Sequence, residues 1–270
     1  MTGGVLSPSF VSAEKNDDQE RRLLASPTVR KGDANTMEMP LWFPDELAHI
    51  GDEHLDPEYV QGYDRKAGTD PAEDVTLLRD LGLNGTHTLV DLGAGTGTLA
   101  LAAAPLCQRV VAVDASPEML TRLREKAERL GICNVEYAQG GFLTHEYRGE
   151  RADFVYSRNA LHHLSDFWKA LALERIASIL RPGGVLRLRD LVFSFDVSEA
   201  GHFIEAWLES AAERPDLGWT RTELEKDIRE EHITFDWLLE PMLERAGFDI
   251  QDTTHDASRV FSAYTCIKTG

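Results

Sequence analysis

Basic residues are scarce in this chain. Lys and Arg number 28 against 46 Asp and Glu in 270 residues, a net charge of −18. Such a surface repels phosphate backbones, and no Lys/Arg-rich run offers a local exception, so a nucleic-acid partner is not expected. Cysteine is scarce too: Cys107, Cys133 and Cys266 lie far apart, without metal-ligand spacing. They read as thiols in a reduced, cytoplasmic setting, with Cys107 and Cys133 buried in or beside apolar segments. No apolar run reaches the length of a membrane span, and the N-terminus lacks the apolar core of a signal peptide, so no membrane association is expected. What remains is ample for folding: 42% hydrophobic residues in a chain of this length build a large core.

Thr88-Leu89-Val90-Asp91-Leu92 is an apolar strand that runs into Gly93-Ala94-Gly95-Thr96-Gly97. Three glycines at alternate positions remove every Cβ where the chain must turn sharply, and they let a ligand touch the backbone. A helix from Thr98 to about Leu106 then points its N-terminus at that ligand. A dinucleotide-binding loop is spaced G-x-G-x-x-G, with a pyrophosphate on the helix N-terminus. Here the spacing is G-x-G-x-G, and Asp91 beside the loop would repel a pyrophosphate. A carboxylate suits a ligand with an ammonium group, which points away from NAD and toward S-adenosylmethionine. The next strand, Arg109–Asp114, is apolar and also ends in an acid. A βαβ unit brings Asp114 to the tip of the neighbouring strand, where it can accept ribose hydroxyls. Ser116 as N-cap and Pro117 at the first helical position start the following helix, which leaves Asp114 for the ribose.

The chain resembles the class I S-adenosylmethionine-dependent methyltransferases that act on small molecules. Four motifs carry the resemblance, in order between about residues 70 and 268. They are Val90 to Gly97, Val113 to Leu120, Ala152 to Leu164, and Leu180-Arg181-Pro182-Gly183-Gly184. The resemblance implies that Asp91 and the backbone of Gly93, Ala94, Gly95 and Gly97 hold the methionine end of the cofactor. It implies Asp114 for the ribose, Ala115 and Met119 for the adenine, and Arg158 on the cofactor side. Tyr63, in an approach segment from Tyr59 to Gly68, would lie over the cofactor, the alternative being a surface helix with a packed tyrosine. One position departs from the pattern. After strand three the family usually has an acid for the adenine amino group, and here Gly141 stands in that place. Phe142 with backbone groups, or Gln139, would hold the adenine instead, and Gly141→Asp is expected to tighten cofactor binding.

Periodicity lays out the rest. Helices are expected over Pro71–Leu81, from Pro117 to Leu130, and over Asp166–Leu180; strands over Thr86–Leu92, Arg109–Asp114, Asn134–Ala138, Asp153–Ser157 and Gly184–Leu191. This alternation predicts an α/β fold: a Rossmann-like, doubly wound, mostly parallel sheet of seven strands between two helical layers. Two closing strands within Phe248–Thr269, joined at Asp256-Ala257-Ser258, must pair antiparallel. Residues 1–38 read as a flexible tail. Residues 39–270 read as one domain with a helical cap over about 39–68 and a helical lid over about 197–246.

Chemistry is expected beyond the carboxyl ends of the strands. Asn159, His162 and Arg189 there, with Trp237 in the lid, are candidates for the acceptor, and His162 or His163 for a base. A His-His pair can equally just order the turn. Magnesium-dependent relatives place acids after both strand four and strand five. Here only Asp190 follows strand five, which makes a poor hard-cation site, so metal-independent transfer is expected. The alternatives are a protein that binds the cofactor without transferring methyl and, less favoured, an NAD-dependent oxidoreductase. The acceptor atom and the oligomeric state are not legible.

Overall fold

Branched and aliphatic residues dominate Thr88–Leu92 and Arg109–Asp114, and they are buried at the centre of the sheet. The computed structural model describes residues 40–270; the tail expected over residues 1–38 lies outside them. Pro40–Pro44 belong to one unit and Asp45–Gly270 form another. In the first, the Phe43 N–H donates to the Pro40 carbonyl at 2.8 Å and the rings of Trp42 and Phe43 meet edge-on at 6.0 Å.

The second unit opens with two short 3-10 turns, Glu46–His49 and Asp52–Leu55, then α1 (Pro57–Ala67) and α2 (Ala72–Asp80). The sheet alternates with helices thereafter: β1 (Thr88–Leu92), α3 (Thr98–Ala103), β2 (Arg109–Asp114), α4 (Pro117–Leu130), β3 (Val135–Gln139), β4 (Ala152–Arg158), α5 (Asp166–Ile179) and β5 (Leu180–Phe193). The lid follows as α6 (Ala200–Glu209), α7 (Arg221–Glu230), a two-residue β6 (Thr234–Phe235) and α8 (Asp236–Arg245); β7 (Phe248–His255) and β8 (Phe261–Lys268) close the chain. Strand order is β3-β2-β1-β4-β5-β8-β7, with β6 paired to β5. The first five strands are parallel and β8 runs antiparallel to both β5 and β7.

The expected fold is therefore present, with an eighth short strand that two residues in a charged and aromatic stretch did not announce. The other differences are local. Strand five begins at Leu180 rather than Gly184, because Leu180 pairs with Ala152 before the ladder breaks and resumes at Phe154 and Val185. The chain bulges there through Gly183, whose φ of +74° favours glycine. Cys133 is exposed, not buried: the left-handed cap at Gly131 ends α4 and turns the chain outward before β3 begins.

Leu89, Val90, Val110, Val113 and Val155 are fully buried in the sheet. A second apolar cluster sits under the lid, where Trp207, Leu208 and Leu224 pack on Leu191, Phe193 and Val260. The lid is thus fastened to the far end of β5 and to β8. No helix among the described residues is long and apolar enough to cross a membrane.

Candidate functional site

The glycine turn is built by backbone hydrogen bonds and by close packing. The N–H groups of Gly93 and Ala94 both donate to the Val113 carbonyl at 2.9 Å, which ties the turn to the end of β2. All three glycines have positive φ, between +54° and +81°. Their Cβ positions differ in what they would meet. At Gly93 a Cβ would overlap Ala160, and at Gly97 it would come within 2.8 Å of Leu123 Cδ1 on α4. At Gly95 nothing lies within 4 Å. Gly93 and Gly97 are glycines for packing, and Gly95 leaves room on the open side of the turn.

Asp114 anchors that turn. Its carboxylate accepts from the N–H of Gly95 at 2.7 Å and from the N–H of Ser116 at 2.8 Å. Burial raises its pKa against the effect of those two donors. Ser116 caps α4 through the Met119 N–H at 3.1 Å and donates its hydroxyl to the His54 carbonyl at 2.6 Å. Asp91 lies one strand over, 2% exposed, with its pKa pushed up to about 7 by burial and by the nearby Asp114.

Two cavities meet at the carboxyl ends of the strands. The smaller, about 100 Å³, is lined by Asp114, Ala115, Met119, Gly141, Phe142 and Glu46, among others. The larger, about 690 Å³, is lined by Asp91, Ala94, His162 and Arg189 together with aromatic rings of the cap and lid, Tyr59, Trp207 and Trp219. Tyr63, Gly93, Gly95, Arg158, Asn159 and His163 border both. Gly97 and Trp237 line neither. Gly97 faces Leu123, and Trp237 is 56% exposed and stacks on Phe235 at 5.6 Å, because α8 turns that face away from the cavity.

The gap at Gly141 has a physical explanation. Glu46, 7% exposed, sends its carboxylate into the loop after β3. It accepts from the Leu143 N–H at 2.9 Å, the Thr144 N–H at 2.8 Å and the Thr144 hydroxyl at 2.6 Å. A Cβ at Gly141 would lie 2.6 Å from Glu46 Cδ. An acid does stand beside the smaller cavity, but it comes from 95 residues upstream. The expectation that Gly141→Asp tightens binding is therefore corrected: a side chain there would collide with the carboxylate already present. Glu46 was not legible from its neighbours in sequence; the missing acid at Gly141 was the one hint.

Beyond β4 the chain places a polar network. Asn159 adopts a φ of +50°, which asparagine tolerates better than most residues. Its N–H donates to the Arg189 carbonyl at 2.8 Å, and Arg189 Nη1 returns a bond to Asn159 Oδ1 at 2.9 Å. Arg158 Nη1 donates to Asp74 at 3.0 Å, and the Tyr156 hydroxyl to the same oxygen at 2.7 Å. His162 is buried, with Nδ1 at 2.5 Å from Asp190 and Nε2 at 3.3 Å from Glu231. Burial lowers its pKa, but the two carboxylates outweigh burial and the net shift is upward. Asp190 also accepts from the N–H groups of Ala160, Leu161 and Leu191 at 3.2, 2.6 and 2.7 Å. The one acid at the end of β5 is thus occupied. Glu231, at the end of α7, is a site residue that the charged pattern of that helix concealed.

The cap is fastened to the rest of the site. Asp64 on α1 accepts from Lys126 at 2.8 Å and from the Thr96 hydroxyl, which ties the helix that carries Tyr63 to the glycine turn and to α4. Lys66 bonds Glu223 of α7 at 2.5 Å and lies over the rings of Tyr59 and Trp219 at 5.0 and 5.6 Å.

Known proteins resemble this chain in sequence and in fold. A family model described as a methyltransferase domain matches residues 89–184, from β1 into β5. An uncharacterized methyltransferase of Exiguobacterium sibiricum is 29% identical over 74% of this chain and 83% of its own. These similarities support a class I S-adenosylmethionine-dependent methyltransferase over residues 89–184. The uncharacterized methyltransferase YcgJ of Bacillus subtilis is 35% identical over 38% of this chain, and that match spans 40% of YcgJ. Among solved structures, a methyltransferase of Bacillus halodurans superposes with a TM-score of 0.57 at 20% identity, over 73% of this chain and all of the other, which speaks for the fold.

Proposed function

We propose that this protein transfers a methyl group from S-adenosylmethionine to a small-molecule acceptor by in-line displacement. The observation that carries the reading is the meeting of the two cavities at Gly93, Gly95, Arg158 and Asn159. The smaller has the acid and apolar walls suited to an adenosine, and the larger has Asp91 at one end and an aromatic wall beyond it. Two features of the chain fit the cofactor. Open space faces the Gly95 turn, and the buried Asp91 carboxyl, its pKa pushed up to about 7 by burial and Asp114, is a group that an adjacent ammonium would favour in its ionised form.

When bound, S-adenosylmethionine supplies a methyl group on a sulfonium, which asks for alignment and dryness more than for acid or base. Asp91 and the Gly93–Gly95 backbone hold the amino-acid end in this reading. Asp114 holds the ribose; Met119 and Phe142 enclose the adenine, with Glu46 fixing the loop beside it. Asn159 and Arg189 orient the acceptor. His162 is a poor base for it, since Asp190 faces one ring nitrogen and Glu231 the other. A cavity of about 690 Å³ suits a metabolite, within the usual range of about 300–1,000 Å³ for small-molecule sites. The net charge of −18 disfavours nucleic acid. The free thiols go with a reducing, cytoplasmic setting.

The experiment is turnover. Purified protein with S-adenosylmethionine and a metabolite extract should accumulate S-adenosylhomocysteine above a protein-free blank. Tight binding of S-adenosylhomocysteine by calorimetry without any such accumulation would favour a binding protein that does not transfer methyl. Thermal stabilisation by NADH and not by S-adenosylhomocysteine would reject both.

A further inference from the structure

We propose that His162, His163 and Glu231 form a site for a zinc-like divalent cation in the wall of the larger cavity. The inference stands apart from the methyl-transfer reading and replaces the expectation of metal independence, which weighed only carboxylates at the ends of β4 and β5.

Spacing is the first argument. Each of the three residues offers one donor atom, and the three donors lie within 4.8 Å of one another. Glu231 Oε2 is 3.3 Å from His162 Nε2, and Glu231 Oε1 is 3.6 Å from His163 Nδ1. Donors about 2.0–2.2 Å from a tetrahedral zinc stand roughly 3.3–3.6 Å from each other. Each ring thus faces a different oxygen of the one carboxylate, and turning the Glu231 carboxylate and the His163 ring would draw the three donors, now within 4.8 Å, onto a single ion.

The outer shell is the second argument. A ligating imidazole usually gives its other nitrogen to a carboxylate, which fixes the tautomer and the ring plane. His162 Nδ1 does so with Asp190 at 2.5 Å. Asp190 is itself pinned by three backbone N–H groups, so His162 Nε2 is aimed by a rigid frame.

Access is the third. His162, His163 and Glu231 all line the larger cavity. Three protein ligands with the remaining position open is the pattern of a site that exchanges water for another ligand. Two imidazoles with one carboxylate select a borderline cation over magnesium or calcium, which prefer oxygen.

A proton on His162 would satisfy the same contacts, so the test must see the metal itself. Full-length protein is stripped with a chelator and titrated with Co²⁺ while visible absorption is recorded. The expected result is the d–d bands of a four- or five-coordinate ion, saturating at one equivalent. Glu231→Gln and His163→Ala should each weaken binding by about 10-fold or more, while His255→Ala, on β7, should leave it unchanged. Circular dichroism spectra and melts, measured on the same samples, monitor folding. Absence of the bands in the parent protein overturns the proposal. So does equal Co²⁺ affinity in Glu231→Gln, His163→Ala and parent when all three melt as folded proteins.

Discussion

The Glu46 carboxylate occupies the volume that a side chain at position 141 would need, with its Cδ 2.6 Å from where the Gly141 Cβ would be. The pair links the start of the cap to the loop after β3, and each explains the other. Glu46 orders that loop through three accepted hydrogen bonds. Gly141→Asp should therefore weaken S-adenosylhomocysteine binding and lower the melting temperature. Glu46→Ala should do the same by leaving buried N–H groups unpaired, at a cost of about 1–3 kcal/mol. Calorimetric titration and thermal melts of both variants check this; tighter binding by Gly141→Asp would refute it.

Most of the sheet was legible because its strands are long, apolar and punctuated by glycine and proline. Arg109–Asp114 and Pro117–Leu130 have the predicted bounds, since Ser116 and Gly131 cap the helix with side-chain and left-handed geometry that sequence alone announces. The placement of Asp91, Gly95 and Asp114 at the carboxyl ends of the strands was legible for the same reason: they sit in or beside regular elements. Glu46 and Glu231 were not. Each reaches the site from a remote part of the chain, and a lone acid in a polar segment looks like any solvated one. Trp237 misled in the opposite direction, because helical periodicity does not say which face of α8 meets the cavity.

Asp114 anchors the glycine turn and, in the proposed function, holds the ribose, and substitution separates the two. Asn keeps an acceptor for the Gly95 or Ser116 N–H and loses the charge. Asp114→Asn should fold with a modestly lower melting temperature, since one of the two N–H groups loses its acceptor. Its S-adenosylhomocysteine affinity should fall roughly 10- to 100-fold, the loss of about 1.5–3 kcal/mol from a charged hydrogen bond. Asp114→Ala should lose both affinity and stability. A parent-like dissociation constant in Asp114→Asn would remove the ribose assignment.

Gly95 and Gly97 should respond in opposite ways. Both have positive φ, so any side chain is strained by about 1–2 kcal/mol. Gly97→Ala also drives a methyl group against Leu123, 2.8 Å from its Cδ1, and should unfold at a clearly lower temperature. Gly95→Ala points into open space and should melt closer to the parent, whereas Gly95→Val should abolish S-adenosylhomocysteine binding while remaining folded. Circular dichroism melts beside calorimetry distinguish the two; equal melting temperatures for the two alanine variants would contradict the packing role of Gly97.

If Asp91 holds the amino group of the cofactor as proposed, cofactor binding should depend on pH. Its pKa is pushed up to about 7 in the folded chain by burial and by Asp114, against an ordinary value near 3.9 when unfolded. The native state therefore holds a proton that the unfolded state releases between about pH 4 and 7, so this residue's contribution to stability falls as pH rises through that window and is level above it. An ammonium group beside Asp91 favours the ionised form and drives the proton off. S-adenosylhomocysteine should consequently bind more tightly at pH 8 than at pH 6, with proton release detectable as a buffer-dependent enthalpy. In Asp91→Asn the affinity should be lower throughout and the pH dependence between 6 and 8 flattened. The same variant should also lose less stability than the parent on going from pH 5 to pH 8. A parent affinity independent of pH over that range, with no net proton release, would mean that the amino group is held elsewhere.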